Sequence, residues 1–68
     1  MNDRVDPKPV DAEFSHRMGE LGQRAESSPM YSQARRDAFR AMGDLWAEYG
    51  WIELAQQMYD VADAQYSR

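Results

Sequence analysis

Apolar residues recur at steps of three and four along most of this chain, the spacing that places side chains on one face of an α-helix. The pattern predicts a first amphipathic helix over residues 10–25. Asp11 is its predicted N-cap, because a carboxylate at that position accepts a hydrogen bond from a free backbone N–H. Gly19 and Gly22 each cost such a helix about 1 kcal/mol relative to Ala, so we expect it to depend on packing. Its apolar stripe consists of Val10, Phe14, Met18, Leu21 and Ala25.

A second helix is predicted over residues 29–49. Ser28 is a suitable cap, and Pro29 suits the first helical position, where its missing N–H is no loss. Gly50 follows the helical run and favours its end, because glycine adopts the left-handed conformation without steric cost. We expect both boundaries to hold within about two residues. The broad apolar face of this helix consists of Tyr31, Ala34, Ala38, Ala41, Met42, Leu45 and Tyr49.

A third helix is predicted over residues 51–66. Its stripe consists of Trp51, Ala55, Met58, Tyr59, Ala62 and Tyr66, widened by Leu54 and Val61. Residues 1–9 contain two prolines and no apolar periodicity, which predicts a flexible arm. No segment alternates long enough to indicate a β-strand. The sequence therefore predicts an all-α fold, in which a single three-helix domain over residues 10–68 follows the arm.

The second half of the chain carries a regular spacing of small and aromatic residues. With Arg36 as the first position, the pattern consists of Phe39, Met42-Gly43, Trp46, Gly50, Ala55, Tyr59 and Ala62. It resembles a single tetratricopeptide repeat, although Trp51 follows the turn and no proline follows Ala62. The resemblance implies an antiparallel helical hairpin over residues 36–66 that builds a surface for another protein. A generic helical hairpin is the alternative, because glycine and alanine occur in any tight pair of helices.

Gly43 and Ala55 are predicted to face each other across this hairpin. Small residues at such a point let two helix axes approach to about 8–10 Å. Trp51, directly after the turn glycine, is either a staple over the end of the hairpin or an exposed anchor for a partner. Tryptophan and arginine are the residue types found most often as interface hot spots.

Length and charge limit the possible functions. With 68 residues and no cysteine, the chain is one small domain without disulfides or a thiolate metal site. No apolar run is long enough to cross a bilayer, and the charged, proline-containing N-terminus does not resemble a signal peptide, so we expect a cytoplasmic protein. Seven of the eight basic residues are arginine, which is typical of a bacterial or phage genome rich in GC.

The net charge of −4 is concentrated in the second half of the chain. Residues 1–40 carry seven acidic and seven basic groups, whereas residues 41–68 carry five acidic groups against Arg68 alone. Binding to nucleic acid phosphates needs a basic stripe, so we expect no nucleic acid partner.

The residues that are candidates for metal binding or catalysis each have a simpler interpretation. His16 shares a helix face with Glu13 and Glu20, which could form a divalent-metal site, but a solvated histidine beside acids is the simpler interpretation. Asp60 and Asp63 lie a helical turn apart, yet catalytic carboxylates need a cleft that perturbs their pKa values. We therefore expect no enzymatic activity and no cofactor; titration with divalent metals would test the contrary hypothesis at His16.

Aromatic residues point instead to a protein partner. Six of them lie between residues 39 and 66, more than one face of each helix in a monomer is expected to bury. A second copy or another protein is therefore expected to cover them, with a homodimer as the leading possibility. Arg35, Arg36 and Arg40 form a basic cluster that either contacts a partner or pairs with Asp37 and Asp44. The predicted partner-binding residues are Arg36, Arg40, Trp46, Tyr49, Trp51 and Tyr59.

Two functions remain. The first is a small protein–protein interaction module, such as an adaptor, a chaperone-like protein or an accessory subunit, that binds through an aromatic helical surface. The second is an inhibitor of phage or mobile-element type, whose acidic face blocks a basic surface of a nucleic-acid enzyme. Salt separates them, because binding through charge weakens steeply with ionic strength and an apolar interface does not.

Overall fold

The computed structural model describes residues 7–66 and consists of three helices. They are α1 (Ala12–Ser27), α2 (Gln33–Glu48) and α3 (Ile52–Tyr66). No strand occurs within this part of the chain. The predicted all-α, three-helix class is therefore confirmed.

Helix α1 begins at Ala12, two residues after the predicted bound and directly after the predicted N-cap. The backbone N–H of Phe14 donates a hydrogen bond of 2.8 Å to the Asp11 carboxylate, so the predicted N-cap is confirmed. The helix ends two residues later than predicted, because Ser28 closes it. The Ser28 backbone N–H donates to the Ala25 carbonyl at 3.2 Å, and its hydroxyl donates to the Arg24 carbonyl at 2.8 Å. Ser28 thus serves the end of α1 and not the start of α2.

Helix α2 begins at Gln33, and the prediction that it begins at Pro29 was wrong. Residues 29–32 form a turn in which the Ser32 N–H donates to the Pro29 carbonyl at 3.1 Å. Tyr31 has a φ of 64°, a left-handed conformation that a right-handed helix excludes. Ser32 then caps α2, because its hydroxyl accepts the Arg35 N–H at 3.1 Å.

The end of α2 agrees with the prediction. The helix stops at Glu48, and Gly50 has a φ of 91° in the turn that leads to α3. An L-residue is strained in this conformation and glycine is not. The predicted break between the second and third helices is therefore confirmed.

The three helices lie side by side. Helix α2 packs against both α1 and α3, whereas within the described residues no Cα atom of α1 lies within 8 Å of one in α3. The Cα trace is only 10 Å across in its thinnest direction. The protein is thus one layer of helices, with α2 in the middle and α1 and α3 as its two edges.

The core lies mainly between α1 and α2. One cluster joins Phe14 to Leu45 and Tyr49, and a second joins Ala25 to Ala38 and Met42. The Phe14 ring centroid lies 4.7 Å from that of Trp46 and 4.9 Å from that of Tyr49. Phe14 is therefore one of the side chains that hold α1 to α2, and it is the largest of those that are buried in α1.

Small residues form the contact between α2 and α3. Gly43, Ala55 and Ala62 are all buried. A Cβ atom added at Gly43 would lie 2.6 Å from Cε1 of Tyr59 and 3.0 Å from the Ala55 carbonyl oxygen. The predicted close approach of Gly43 to Ala55 is therefore confirmed.

The segment before α1 contacts the turn between α2 and α3, at the same end of the layer as the start of α1. The Lys8 N–H donates to the Tyr49 carbonyl at 2.8 Å, and the Trp51 indole N–H donates to the Lys8 carbonyl at 2.8 Å. Lys8, within the predicted arm, is thus bonded to the turn between α2 and α3. Residues 1–6 of the predicted arm lie outside the described residues.

Candidate partner-binding surface

The predicted partner-binding residues fall into two groups. The first group lies at the end of the layer where α2 turns into α3, and the second lies along the contact between these helices. The first consists of Trp46, Tyr49 and Trp51, and the second of Arg36, Arg40 and Tyr59. Each group has its own surroundings.

Tyr49 belongs to the core. Its side chain is buried, and its hydroxyl donates a hydrogen bond of 2.8 Å to the Asp11 carboxylate. This hydrogen bond, together with burial, raises the pKa of the Tyr49 phenol. Tyr49 therefore joins the end of α2 to the start of α1 and offers a partner almost no surface.

Trp46 and Trp51 are both half-buried. Their ring centroids lie 6.5 Å apart in an edge-to-face arrangement, and both rings pack against the cluster that contains Phe14. Because the Trp51 indole also donates to Lys8, the ring is a staple over the end of the hairpin. Only part of each tryptophan remains available for a partner.

An open groove lies beside this staple. It has a volume of about 940 Å³ and runs between Lys8 and the turn that joins α2 to α3. Glu48 on its rim pairs with Arg17 of α1 at 3.4 Å. Its apolar lining consists of Pro7, Ala47, Trp51, Ile52 and Leu54.

Ile52 is the residue that the sequence prediction missed. It is 64% exposed, the highest value among the large apolar side chains of the described residues. The other exposed ones are Val10, Met30 and Tyr31. An apolar residue directly after the turn and outside the stripe of the third helix was the signal that could have identified it.

The expected surplus of exposed rings is absent among the described side chains of α2 and α3. Their aromatic rings are buried or half-buried, and the one exposed ring in the described side chains belongs to Tyr31 in the turn before α2. The shape of the layer and the exposed Ile52 therefore favour a partner more than the aromatic residues do.

The second group is built around Tyr59. Its hydroxyl donates to the Asp44 carboxylate, which raises the pKa of the Tyr59 phenol. The Arg40 guanidinium lies 5.7 Å from the centre of the Tyr59 ring, within the range of a cation–π interaction. Arg40 thus contacts a ring that is itself bonded to Asp44. Arg36, one turn earlier, is half-buried.

Arg35 has a different role from its two neighbours. Its guanidinium donates to the Ala25 carbonyl at 2.8 Å, at the end of α1, and lies 5.7 Å from the Phe39 ring centre. A cation at this position interacts favourably with the negative end of the helix dipole. The basic cluster of the sequence is therefore divided between a structural cap and the Tyr59 group.

His16 pairs with Glu20 on the exposed side of α1, at a distance of 3.3 Å. No group of three histidine, cysteine, aspartate or glutamate side chains that could hold a metal comes together in the described part of the chain. Nor does any helix there have the length and apolar character needed to cross a membrane.

We expect acid to weaken the junction at Asp11. Hydrogen bonds from the Phe14 N–H and then from the Tyr49 hydroxyl lower the pKa of this carboxyl in the folded protein. Because the folded pKa lies below the unfolded one, the stabilisation is complete above about pH 4 and is lost as the pH falls through the folded value. Thermal melts followed by far-UV circular dichroism should show a steeper fall in Tm below about pH 4 for the wild type than for Asp11→Asn. Parallel curves would contradict this assignment.

Comparison with known proteins adds no relative from which a function could be transferred. No protein-family model, curated protein or solved structure matches this chain. The resemblance to a tetratricopeptide repeat stays a prediction that rests on the spacing of residues 36–66.

Proposed function

We propose that this protein is a small protein–protein interaction module, acting in the cytoplasm as an adaptor, a chaperone-like protein or an accessory subunit. Its partner is another protein or a second copy of the chain. The proposed contact surface is centred on the groove beside Trp51 and Ile52 and extends to the exposed parts of Trp46, Arg40 and Tyr59. We also propose that the protein has no enzymatic activity and binds no cofactor.

The observation that supports this proposal most is the single layer. In a closed three-helix bundle each helix contacts the other two and the apolar core is covered on all sides. Here α1 and α3 each contact only α2 within the described residues, so a large part of the surface of each has no neighbour. Ile52 lies on α3, and 64% of its surface is exposed. A bound protein would supply the missing neighbour and cover this side chain.

We expect Ile52→Glu to weaken the association. Sedimentation velocity at micromolar concentration should show a homodimer of the wild type that persists or tightens in high salt, because screening relieves repulsion between acidic chains. Met30→Glu is the matched control, since Met30 is 60% exposed but lies in the turn before α2. The dimer should be lost in Ile52→Glu and retained in the control.

If the wild type sediments as a monomer, the same three proteins serve as baits in the native host. A protein captured by the wild type and by Met30→Glu, but not by Ile52→Glu, would support a heterologous partner at the groove. If Ile52→Glu and Met30→Glu behave alike in sedimentation and in capture from the host, the proposed surface is overturned. A monomer that captures nothing would overturn the proposed function.

The acidic inhibitor is the second candidate function, and the excess of acidic residues in the second half of the chain favours it. Residues 41–66 contain five acidic groups and no lysine or arginine. Such a surface would bind a basic groove of a nucleic-acid enzyme mainly through charge. Its affinity should then fall steeply between low and moderate salt, whereas affinity at the apolar groove should not.

A further inference from the structure

No other helix covers the outer face of α3 in the described part of the chain, and only its first turn lines the groove beside Pro7 and Lys8. Among the helices, α3 contacts α2 alone, through a side that includes Ala55, Tyr59 and Ala62. Because residues seven apart lie almost above one another on an α-helix, the side away from α2 is organised in rows that run along the helix. These rows differ sharply in chemistry.

One row is apolar and a parallel row is acidic. Leu54 and Val61 form the apolar row, and both are half-buried. Glu53 and Asp60 form the acidic row, and both are exposed. Between them lie Gln57 and Ala64, which are exposed and leave the centre of the face without a bulky apolar side chain. The acidic row is solvated, apart from a hydrogen bond of 3.2 Å from the Gln56 amide to Asp60.

The charge of this face distinguishes between possible occupants. A second copy of α3 would place two acidic rows close together, and like charges at such a distance repel. No lysine or arginine lies among residues 41–66 that could relieve this repulsion. A basic partner would meet opposite charge along the whole row.

We propose that the outer face of α3 binds an amphipathic helix of a partner protein, one whose apolar stripe is flanked by lysine or arginine. The apolar stripe packs over Leu54 and Val61, and the small side chain of Ala64 lets the two helices approach closely. Basic side chains seven residues apart then reach Glu53 and Asp60. This inference rests on the proposed function and specifies the chemistry of one partner.

The test uses the full chain and a synthetic peptide of three heptads, with leucine at the apolar positions and lysine at the flanking ones. Binding is measured by fluorescence anisotropy of the labelled peptide and located by ¹⁵N chemical-shift changes. A peptide of the same composition in scrambled order controls for bulk attraction between opposite charges. We expect the amphipathic peptide to bind more tightly and to shift the amide signals of α3.

The decisive variants are Glu53→Lys/Asp60→Lys and, as a matched control, Glu13→Lys/Glu20→Lys. Both pairs have the same spacing and the same change of charge, and each begins in the first turn of its helix. The α3 pair should weaken binding about tenfold or more, and the α1 pair much less. Circular dichroism establishes that both variants keep their helices.

Equal losses in the two variants, or equal binding of the scrambled peptide, would show attraction by net charge only and overturn the inference. Shifts confined to α1 or to the turn at Trp51 would also overturn it. These failures leave the proposed function untouched if Ile52→Glu still abolishes association. If the peptide does not bind specifically to α3 and Ile52→Glu also leaves association unchanged, both proposals are overturned.

Discussion

Replacing Phe14 with alanine is expected to lower the free energy of unfolding by about 3–5 kcal/mol, the usual cost of removing a buried aromatic ring. Phe14 is 3% exposed and contacts both Trp46 and Tyr49. A domain of this size rarely has more than about 3–5 kcal/mol of stability in total. The variant should therefore be largely unfolded at 25 °C.

Urea denaturation, followed by tryptophan fluorescence and by far-UV circular dichroism, measures this loss. Met30→Ala is the control, because its exposed side chain should contribute less than about 0.5 kcal/mol. A loss below about 1 kcal/mol for Phe14→Ala would mean that α1 is not held to α2 through this ring.

Replacing Gly43 with leucine is expected to cost about 1–3 kcal/mol through overpacking. The first added atom alone would lie 2.6 Å from the Tyr59 ring and 3.0 Å from the Ala55 carbonyl oxygen. The ring can shift, but the backbone carbonyl of Ala55 can move away only if the two helices separate. Even alanine at position 43 should therefore destabilise the hairpin, despite its higher helix propensity.

At Gly19 we expect an added side chain to have the opposite effect on stability. A Cβ atom at Gly19 would meet nothing within 4 Å. Gly19→Ala should therefore stabilise the protein by up to about 1 kcal/mol, because alanine is the better helix former. Chemical denaturation of the two alanine variants compares them directly. If Gly43→Ala and Gly19→Ala change the free energy of unfolding in the same direction, the result would contradict the close approach of α2 to α3.

The class of fold and most helix ends follow from local sequence. Spacing of apolar residues predicts three helices, and the chemistry of Asp11 and Gly50 sets two of the boundaries. The start of α2 could not be read in this way. Ser28-Pro29 and Ser32 are both good starts in sequence, and the choice depends on contacts elsewhere. Ser28 is bonded to Arg24, and Tyr31 adopts a left-handed conformation.

The candidate site was harder to predict than the fold. Periodicity identifies a broad apolar stripe but not which of its residues a neighbouring helix covers. Tyr49 is covered by Phe14 and bonded to Asp11, 38 residues earlier, and no local pattern contains these contacts. Ile52 is exposed because α1 does not reach α3 within the described residues, which depends on the arrangement of all three helices.

The central position of α2 also determines how the protein responds to events at its edges. Within the described residues, α1 and α3 are coupled through α2 and, at one end of the layer, through the hydrogen bond between Lys8 and Trp51. In a nearest-neighbour arrangement of this kind, one edge can open while the remaining pair stays folded. A ligand bound on α3 therefore protects α1 only as far as it rigidifies α2 or the contact between Lys8 and Trp51.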